Sequence, residues 1–310
     1  MTKRFTFYII FKWLVLIAAY SYLAYKLITF DNYNVLFEQW ELGWLHHAKY
    51  LLVVIVLLPF NWLFETLKWK FLLRKLEVLL LKDAFKSVMI GNTTAFFTPN
   101  RLGEFPGRSI TLSQGKKLQG ITIGVLGSIS QTLTIMLFGI PSAWILFFFH
   151  NSNLNPLNYI SFIAVFIGLI IIYFFLPRLC LYLKAKKLFH KIENLLLSIT
   201  EFSFLDLMGV LLLSLFRYLI FCTQFYFMLL FFGVDLHPLY GAIAIATNYL
   251  FVTFTPSLSF SEGAVRASVA VLVIGILSTN IVGIAAAGLG IWLINFVIPM
   301  LIGSVIFAKK

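Results

Sequence analysis

The sequence is poor in charge. Of its 310 residues only 12% are Asp, Glu, Lys or Arg, while 61% are hydrophobic. An ordinary soluble domain carries about a quarter charged residues and about half apolar ones. This composition excludes a soluble enzyme and a nucleic-acid-binding module. Cysteine is almost absent: Cys180 and Cys222 lie in or beside apolar runs, so no disulfide framework is expected. The chain has no Walker loop, no Gly-x-Ser-x-Gly, no metal-ligand cluster and no pair of carboxylates at catalytic spacing. No catalytic residue, metal or other cofactor is therefore expected, and the chain is not read as an enzyme. The adjacent His46 and His47 point to different faces of a helix, which suits an interface better than a metal. Nor is a cleavable signal expected, because the first apolar run is too long for an h-region and lacks a small-residue cleavage site.

What is abundant is apolar length. Phe alone appears 34 times. The runs Phe5–Phe30, Tyr50–Trp69, Leu157–Leu176, Phe204–Phe232 and Asn280–Phe307 are each long enough to cross a hydrocarbon core of about 30 Å. The expected fold is an all-α polytopic membrane protein. The net charge of +12 is concentrated between the spans. Lys3 and Arg4 precede the first, Lys68 to Lys86 follow the second, Lys116 and Lys117 precede the third, and Arg178 to Lys191 lie in one later loop. The positive-inside rule places both termini and the 178–203 loop in the cytoplasm, with 31–48 and 150–156 outside. These lysines read as orientation and lipid-surface charges. In 184–200, Leu188, Ile192, Leu195 and Ile199 recur at helical spacing opposite lysines, which predicts an interfacial helix on the cytoplasmic leaflet.

Two segments break the pattern of spans, and they resemble each other. One runs to Thr98-Pro99 and the other to Thr255-Pro256; each has an upstream Asn (Asn92, Asn248) and the tripeptide Phe-Thr-Pro. After four or five residues each has a Glu (Glu104, Glu262), with an Arg four positions later (Arg108, Arg266). A helical arm of about 16 residues reaches about 24 Å, short of a comfortable crossing. The segments about 83–115 and about 239–277 therefore read as re-entrant helical hairpins that turn at these prolines. Each half, 1–150 and 157–310, then contains three spans and one hairpin. Three crossings is an odd number, so the second half is inverted relative to the first. Inverted repeats with broken helices are a pointer to a transporter's binding site.

Charge at membrane depth is costly, about 2.5–3.5 kcal/mol per residue on insertion scales, so Glu104, Arg108, Glu262 and Arg266 need a reason. Their i, i+4 spacing permits pairing on one helix face, and a Glu suits a helix N-terminus. The alternative is that the arginines hold an anionic headgroup with the glutamates as counter-ions. Arg101 adds a charge in the first loop, and Arg217 sits in mid-span. The substrate-binding set is thus Arg101, Glu104, Arg108, Arg217, Glu262 and Arg266. Two further patterns read either as packing or as function. Ser87, Gly91, Thr94 and Thr98 form a small hydroxylated face, and Gly120, Gly124, Gly127, Gln131 and Thr134 form a small-residue face in the next span.

At Thr98-Pro99-Asn100-Arg101-Leu102-Gly103-Glu104-Phe105, with Thr255-Pro256 and Glu262-Gly263-Ala264, the chain resembles the transmembrane, flippase-like region of the lysylphosphatidylglycerol synthases. The resemblance covers nearly the whole chain. The second motif departs from the family's usual Pro-Gly-Gly-type loop, with Ser257-Leu258-Ser259-Phe260-Ser261 in its place. Bifunctional members carry a soluble aminoacyl-transferase domain after the membrane region, which these residues do not include, so a stand-alone member is expected. The resemblance implies binding and translocation of a phospholipid or polyprenyl-linked lipid in a bacterial or archaeal cytoplasmic membrane. The expected partner is a membrane lipid with an anionic or zwitterionic headgroup, not nucleic acid, and a homo-oligomer is left open. The rival readings are an intramembrane lipid phosphatase, since Pro106-Gly107-Arg108-Ser109 loosely matches a phosphatase loop, and a non-lipid transporter.

Overall fold

The computed structural model describes residues 33–150, 157–185, 193–257 and 261–309, together with Ser21, Tyr25 and Ile28. Apart from those three residues, the expected first span Phe5–Phe30 lies outside the described part, and so does most of the basic stretch between Ala185 and Glu193. Every described regular element is helical, in keeping with apolar runs that must satisfy their own backbone in lipid. In chain order these are α1 (Tyr33–Leu73), α2 (Leu81–Phe96), α3 (Glu104–Ser109), α4 (Lys117–His150), α5 (Leu157–Ala185), α6 (Glu193–Thr200) and α7 (Phe204–Phe231). They continue with α8 (Pro238–Phe254), α9 (Glu262–Ile274), α10 (Ile281–Trp292) and α11 (Ile298–Ala308). A π-helical segment, Leu293–Val297, joins α10 to α11 into one long rod.

Among the described residues five helices are long and apolar enough to cross a membrane: His47–Leu73, Lys117–Leu146, Ile167–Lys184, Phe204–Phe231 and Ile281–Ala308. The protein is an all-α polytopic membrane protein. One expectation changes here, and another falls partly outside the described residues. The stretch 33–48, expected as a loop, is helical and continuous with the span after it, so α1 runs for 41 residues. The interfacial helix predicted over 184–200 is described only as α6, 8 residues long, with Ser198 and Ile199 buried against the bundle.

The packing has a regular plan. α1 and α7 lie side by side and antiparallel. His47, at the start of the α1 span, hydrogen-bonds the Leu230 carbonyl near the end of α7 at 2.9 Å, while Arg74 and Lys75 at the other end of α1 ion-pair with Asp206 at the start of α7. Phe64 stacks on Phe216, and Gln224 Nε2 donates to the Val54 carbonyl at 3.0 Å between them. α2 packs on α11 at Gly303, where a Cβ would come within 2.0 Å of the Met89 carbonyl oxygen. α8 packs on α4 at Gly139, where a Cβ would lie 2.7 Å from the Leu250 Cβ. The two glycines stand equally far from the first residues of their rods, Lys117 for α4 and Ile281 for the rod α10–α11. Small residues let the rods approach this closely, as lipid-embedded helices require. Two apolar clusters result, one around Trp69, Leu72 and Leu126 and one around Phe225, Leu229 and Ala270.

Asp206 holds the junction of α1 and α7. Ser203 caps α7 by accepting from the Asp206 amide at 3.2 Å, and Asp206 accepts from the Ser203 amide at 2.8 Å in return. Asp206→Ala removes the carboxylate half of the reciprocal cap and both ion pairs, so thermal unfolding in detergent should report a loss of about 1–2 kcal/mol. Asp206→Asn, which keeps the accepting oxygen, should recover part of that loss. An unchanged melting temperature for the alanine variant would mean that the junction is held by packing alone.

Candidate functional site

The polar residues of α1 recur at three- and four-residue steps, Asn61, Glu65 and Lys68, and so share one face of the helix. All three are buried. Opposite them α7 presents Ser214 and Arg217, and the short α3 brings in Arg108 and Glu104. One carboxylate ties these elements together. Glu65 Oε1 lies 2.6 Å from Arg108 Nη2, and Glu65 Oε2 lies 2.9 Å from Lys68 Nζ and 2.8 Å from Arg217 Nη1. Three cations from three elements thus converge on one anion. Polar side chains extend the network. Lys68 Nζ donates to Gln131 Oε1 at 3.2 Å, Arg217 Nε to Asn61 Oδ1 at 3.1 Å, and Asn61 Nδ2 to Asn295 Oδ1 at 2.6 Å.

The two Glu-x-x-x-Arg motifs behave alike. Arg108 ion-pairs with Glu104 as well as Glu65. Arg266 donates to Glu262 Oε1 from Nε at 3.1 Å and from Nη2 at 2.8 Å. The pairing expected from the i, i+4 spacing is formed in both. Glu104 and Glu262 are also the first residues of α3 and α9, where a carboxylate meets the positive end of the helix dipole.

The two breaks touch. The Asn100 amide donates to the Ser257 carbonyl at 3.2 Å, and the Ser257 amide donates to Asn100 Oδ1 at 3.1 Å. To make this turn Asn100 and Arg101 both adopt left-handed backbone, at φ 50° and 59°. For a non-glycine residue that costs about 1–2 kcal/mol, and such outliers concentrate at functional sites. The strained turn carries the Arg101 guanidinium to 4.2 Å from the Phe296 ring centroid, with Arg101 Nη2 donating to Asn92 Oδ1 at 3.2 Å. Arg266 reaches the same ring, at 4.3 Å. Phe296 lies in the π-helical segment, a local widening often found at functional sites.

These groups surround a cavity of about 560 Å³. Every charged residue singled out from the sequence lines it: Arg101, Glu104, Arg108, Arg217, Glu262 and Arg266. Thr255 and Pro256 are on its wall as well. Thr98 and Pro99 are not among its lining residues. Thr98 Oγ1 instead accepts from the Gly103 amide at 2.7 Å and so closes the turn. Aromatic side chains (Phe105, Tyr218, Phe221, Tyr249) complete the enclosure. A family model described as the lysylphosphatidylglycerol synthase TM region matches residues 9–303, a stretch that contains both breaks and the whole cavity wall. The chain belongs to that family. The comparison finds no match among curated proteins or solved structures. Membership and fold together make this a multi-pass membrane protein of a lipid-handling family.

Several residues have other roles than the sequence suggests. Lys68, expected as an orientation charge after the second span, is inside it and only 2% exposed. Sequence reasoning misses Glu65 altogether, although it lies within the apolar run Tyr50–Trp69; the cost of a charge in mid-span, which singles out Arg217, applies to it equally. The hydroxylated face of α2 is a packing face. Ser87 Oγ accepts from Trp69 Nε1 at 2.7 Å and donates to the Arg108 carbonyl at 2.8 Å, and Thr94 Oγ1 donates to the Gly103 carbonyl at 2.7 Å. A Cβ on Gly91 would sit 2.4 Å from Arg108 Cγ. The small-residue face of α4 divides: Gly120 packs on Leu112 and Ser109, whereas Gly124, Gly127 and Gln131 line the cavity. Ser109, the only nucleophile in the phosphatase-like stretch, is buried and donates to the Phe105 carbonyl at 2.9 Å. Both cysteines are free thiols.

Proposed function

We propose that this protein binds a phospholipid or a polyprenyl-linked lipid by its headgroup in the charged cavity and passes it across the membrane there. The observation that carries this reading is the cavity itself. It is lined by fixed charges from α1, α3, α7 and α9 within a bundle of apolar spans, and a headgroup needs such an environment to leave water. Arginine is suited to the task, because its planar fork matches phosphate oxygens bidentately. The breaks supply a path for the rest of the lipid. Phe254 lines the cavity and is 59% exposed, and Phe97 and Leu102 beside the first break are also exposed, so acyl chains can remain in the bilayer while the headgroup is enclosed.

In this reading α2–α3 and α8–α9 are re-entrant hairpins within two inverted repeats, 1–150 and 157–310. The hairpins enter from opposite faces and meet near the midplane, and both termini lie in the cytoplasm. The hydrogen-bonded contact of the breaks, the shortness of α2 (16 residues), α8 (17) and α9 (13), the antiparallel α1–α7 pair and the matched packing at Gly139 and Gly303 support this plan. Arg101, Arg217 and Arg266 are the headgroup contacts in this reading, with Glu104 and Glu262 as competing counter-ions that allow release.

Reconstituted liposomes carrying a fluorescently tagged phospholipid test this directly. The parent protein should speed transbilayer movement above the rate in protein-free vesicles. Arg217→Ala should slow it about tenfold, the loss of one charge-assisted hydrogen bond, and Arg217→Lys should recover only part, keeping the charge without the fork. Vesicles with and without the parent that scramble lipid equally would remove translocation. An alanine variant as fast as the parent would remove Arg217 from the site.

A further inference from the structure

The charges around the cavity do not balance, and the imbalance bears on which lipid it takes. Among the described residues lining it are Lys68, Arg101, Arg108, Arg217 and Arg266, against Glu65, Glu104 and Glu262. Five cations face three carboxylates, leaving two positive charges uncompensated. The neighbouring loop residues Leu258, Ser259 and Phe260 are uncharged and cannot alter the count. In a region walled by apolar and aromatic side chains this excess is poorly screened and attracts an anion strongly.

The excess is also localised. Lys68 and Arg108 are enclosed, with side chains 3% and 5% exposed, and both are within ion-pair distance of Glu65. Arg101, Arg217 and Arg266 are more open, at 24%, 18% and 16%, although Arg217 shares Glu65 and Arg266 is paired with Glu262. Arg101 comes from the first break and Arg266 from α9, the helix after the second, yet each lies over the same ring of Phe296, at 4.2 and 4.3 Å from its centroid. Both guanidiniums are thus brought to one aromatic ring on the cavity wall, so a headgroup seated beside Phe296 meets both positive charges. Arg101 is the weakly engaged member: its nearest carboxylate contact, Nε to Glu104 Oε2, is 3.6 Å long, and its backbone is held in the left-handed region.

We infer that the cavity selects a lipid whose headgroup carries two negative charges on phosphate, a phosphomonoester or a diphosphate, over a phosphodiester headgroup with one. Arg101 and Arg266 are the residues that make the distinction, one from the first break and one from the helix after the second, and both lie over Phe296. A phosphomonoester at neutral pH is close to dianionic, with three strong acceptor oxygens. It can therefore neutralise the excess and engage both forks, where a phosphodiester leaves one positive charge unmatched. The inference rests on the lipid-binding reading above and goes beyond it by fixing the charge class of the headgroup.

The test compares two lipids with identical acyl chains, phosphatidic acid and phosphatidylglycerol, binding to the full-length protein in zwitterionic nanodiscs, with inorganic phosphate as a competitor. Phosphatidic acid should bind at least about tenfold tighter, given the strength of one further charge pair in a partly enclosed site. Arg101→Gln and Arg266→Gln should each lose more affinity for phosphatidic acid than for phosphatidylglycerol, and melting curves establish that the variants are folded. Free phosphate should compete only weakly, since it lacks the apolar burial of the chains. Equal affinities for the two lipids in the parent would overturn the charge-class inference and leave the lipid-binding reading standing. Binding of neither lipid would overturn both. Free phosphate bound as tightly as phosphatidic acid would make the cavity a site for a soluble anion, which also overturns the inference.

Discussion

Glu65→Ala is expected to be the most damaging single substitution in the bundle. The carboxylate is the shared partner of Lys68, Arg108 and Arg217, and its removal leaves three mutually repelling cations in a buried setting with Glu104, the partner of Arg108, as the remaining ion-paired carboxylate. Breaking a buried ion pair from one side costs about 3–5 kcal/mol, much of the stability of a typical domain. The variant should accumulate poorly, and what is purified should melt far below the parent in the same detergent. Glu65→Gln removes the charge but retains an accepting oxygen, so it should be less severe. Combining Glu65→Gln with Lys68→Met should recover part of the loss, because the same operation deletes one of the stranded cations. A phosphate-bearing lipid added to the detergent should raise the melting temperature of Glu65→Gln more than that of the parent, since it supplies the missing anion. A Glu65→Ala protein as stable as the parent would show that the cluster is reached by water and that the charges are not interdependent.

Gly107→Ala should be nearly as harmful for a steric reason. A Cβ there would lie 1.8 Å from Thr94 Oγ1, 2.9 Å from Thr94 Cβ and 3.1 Å from Gly91 Cα. The opposing atoms belong to a packed helix, so α2 and α3 must part. Overpacking of this kind costs about 1–3 kcal/mol and occasionally more. The displacement falls next to Arg108, whose carbonyl is tied to Ser87 and whose guanidinium holds Glu65 and Glu104. Loss of stability and loss of lipid binding should therefore appear together, measured by melting and by lipid titration. Thr94→Ala in the same chain removes the nearest atom and should restore part of both. If the single variant melts normally and binds lipid normally, the two arms are not in the close contact described.

Much of the site is legible in the linear chain because its signals are local. The pairs Glu104–Arg108 and Glu262–Arg266 depend only on helical spacing within one turn, and both form. The breaks at Thr98-Pro99 and Thr255-Pro256 are visible because proline and the shortness of the flanking arms act on the chain locally. Arg217 stands out because a charge in the middle of an apolar span is costly wherever it is. Glu65 and Lys68 answer to that same cost, but their position near the end of a run makes the lysine resemble a flanking charge.

Sequence by itself determined the class of the molecule: long apolar runs have no stable place except in a bilayer, and a bilayer admits only self-satisfied helices in such a chain. It also determined which residues had to be sheltered, since stripping water from a charge is costly whatever its neighbours are. Only the tertiary structure decided who shelters them. Spans that are apolar on every side carry little information about which face turns inward, so nothing in the linear chain announced that Glu65 of α1 would meet Arg217 of α7 and Arg108 of α3. The same holds for Arg101 and Arg266, which share the ring of Phe296 in a bundle whose two breaks are hydrogen-bonded to each other. Helix rotation and the meeting of the breaks are set by close packing at residues such as Gly139 and Gly303, and that packing is a property of surfaces brought together rather than of the order of residues along the chain.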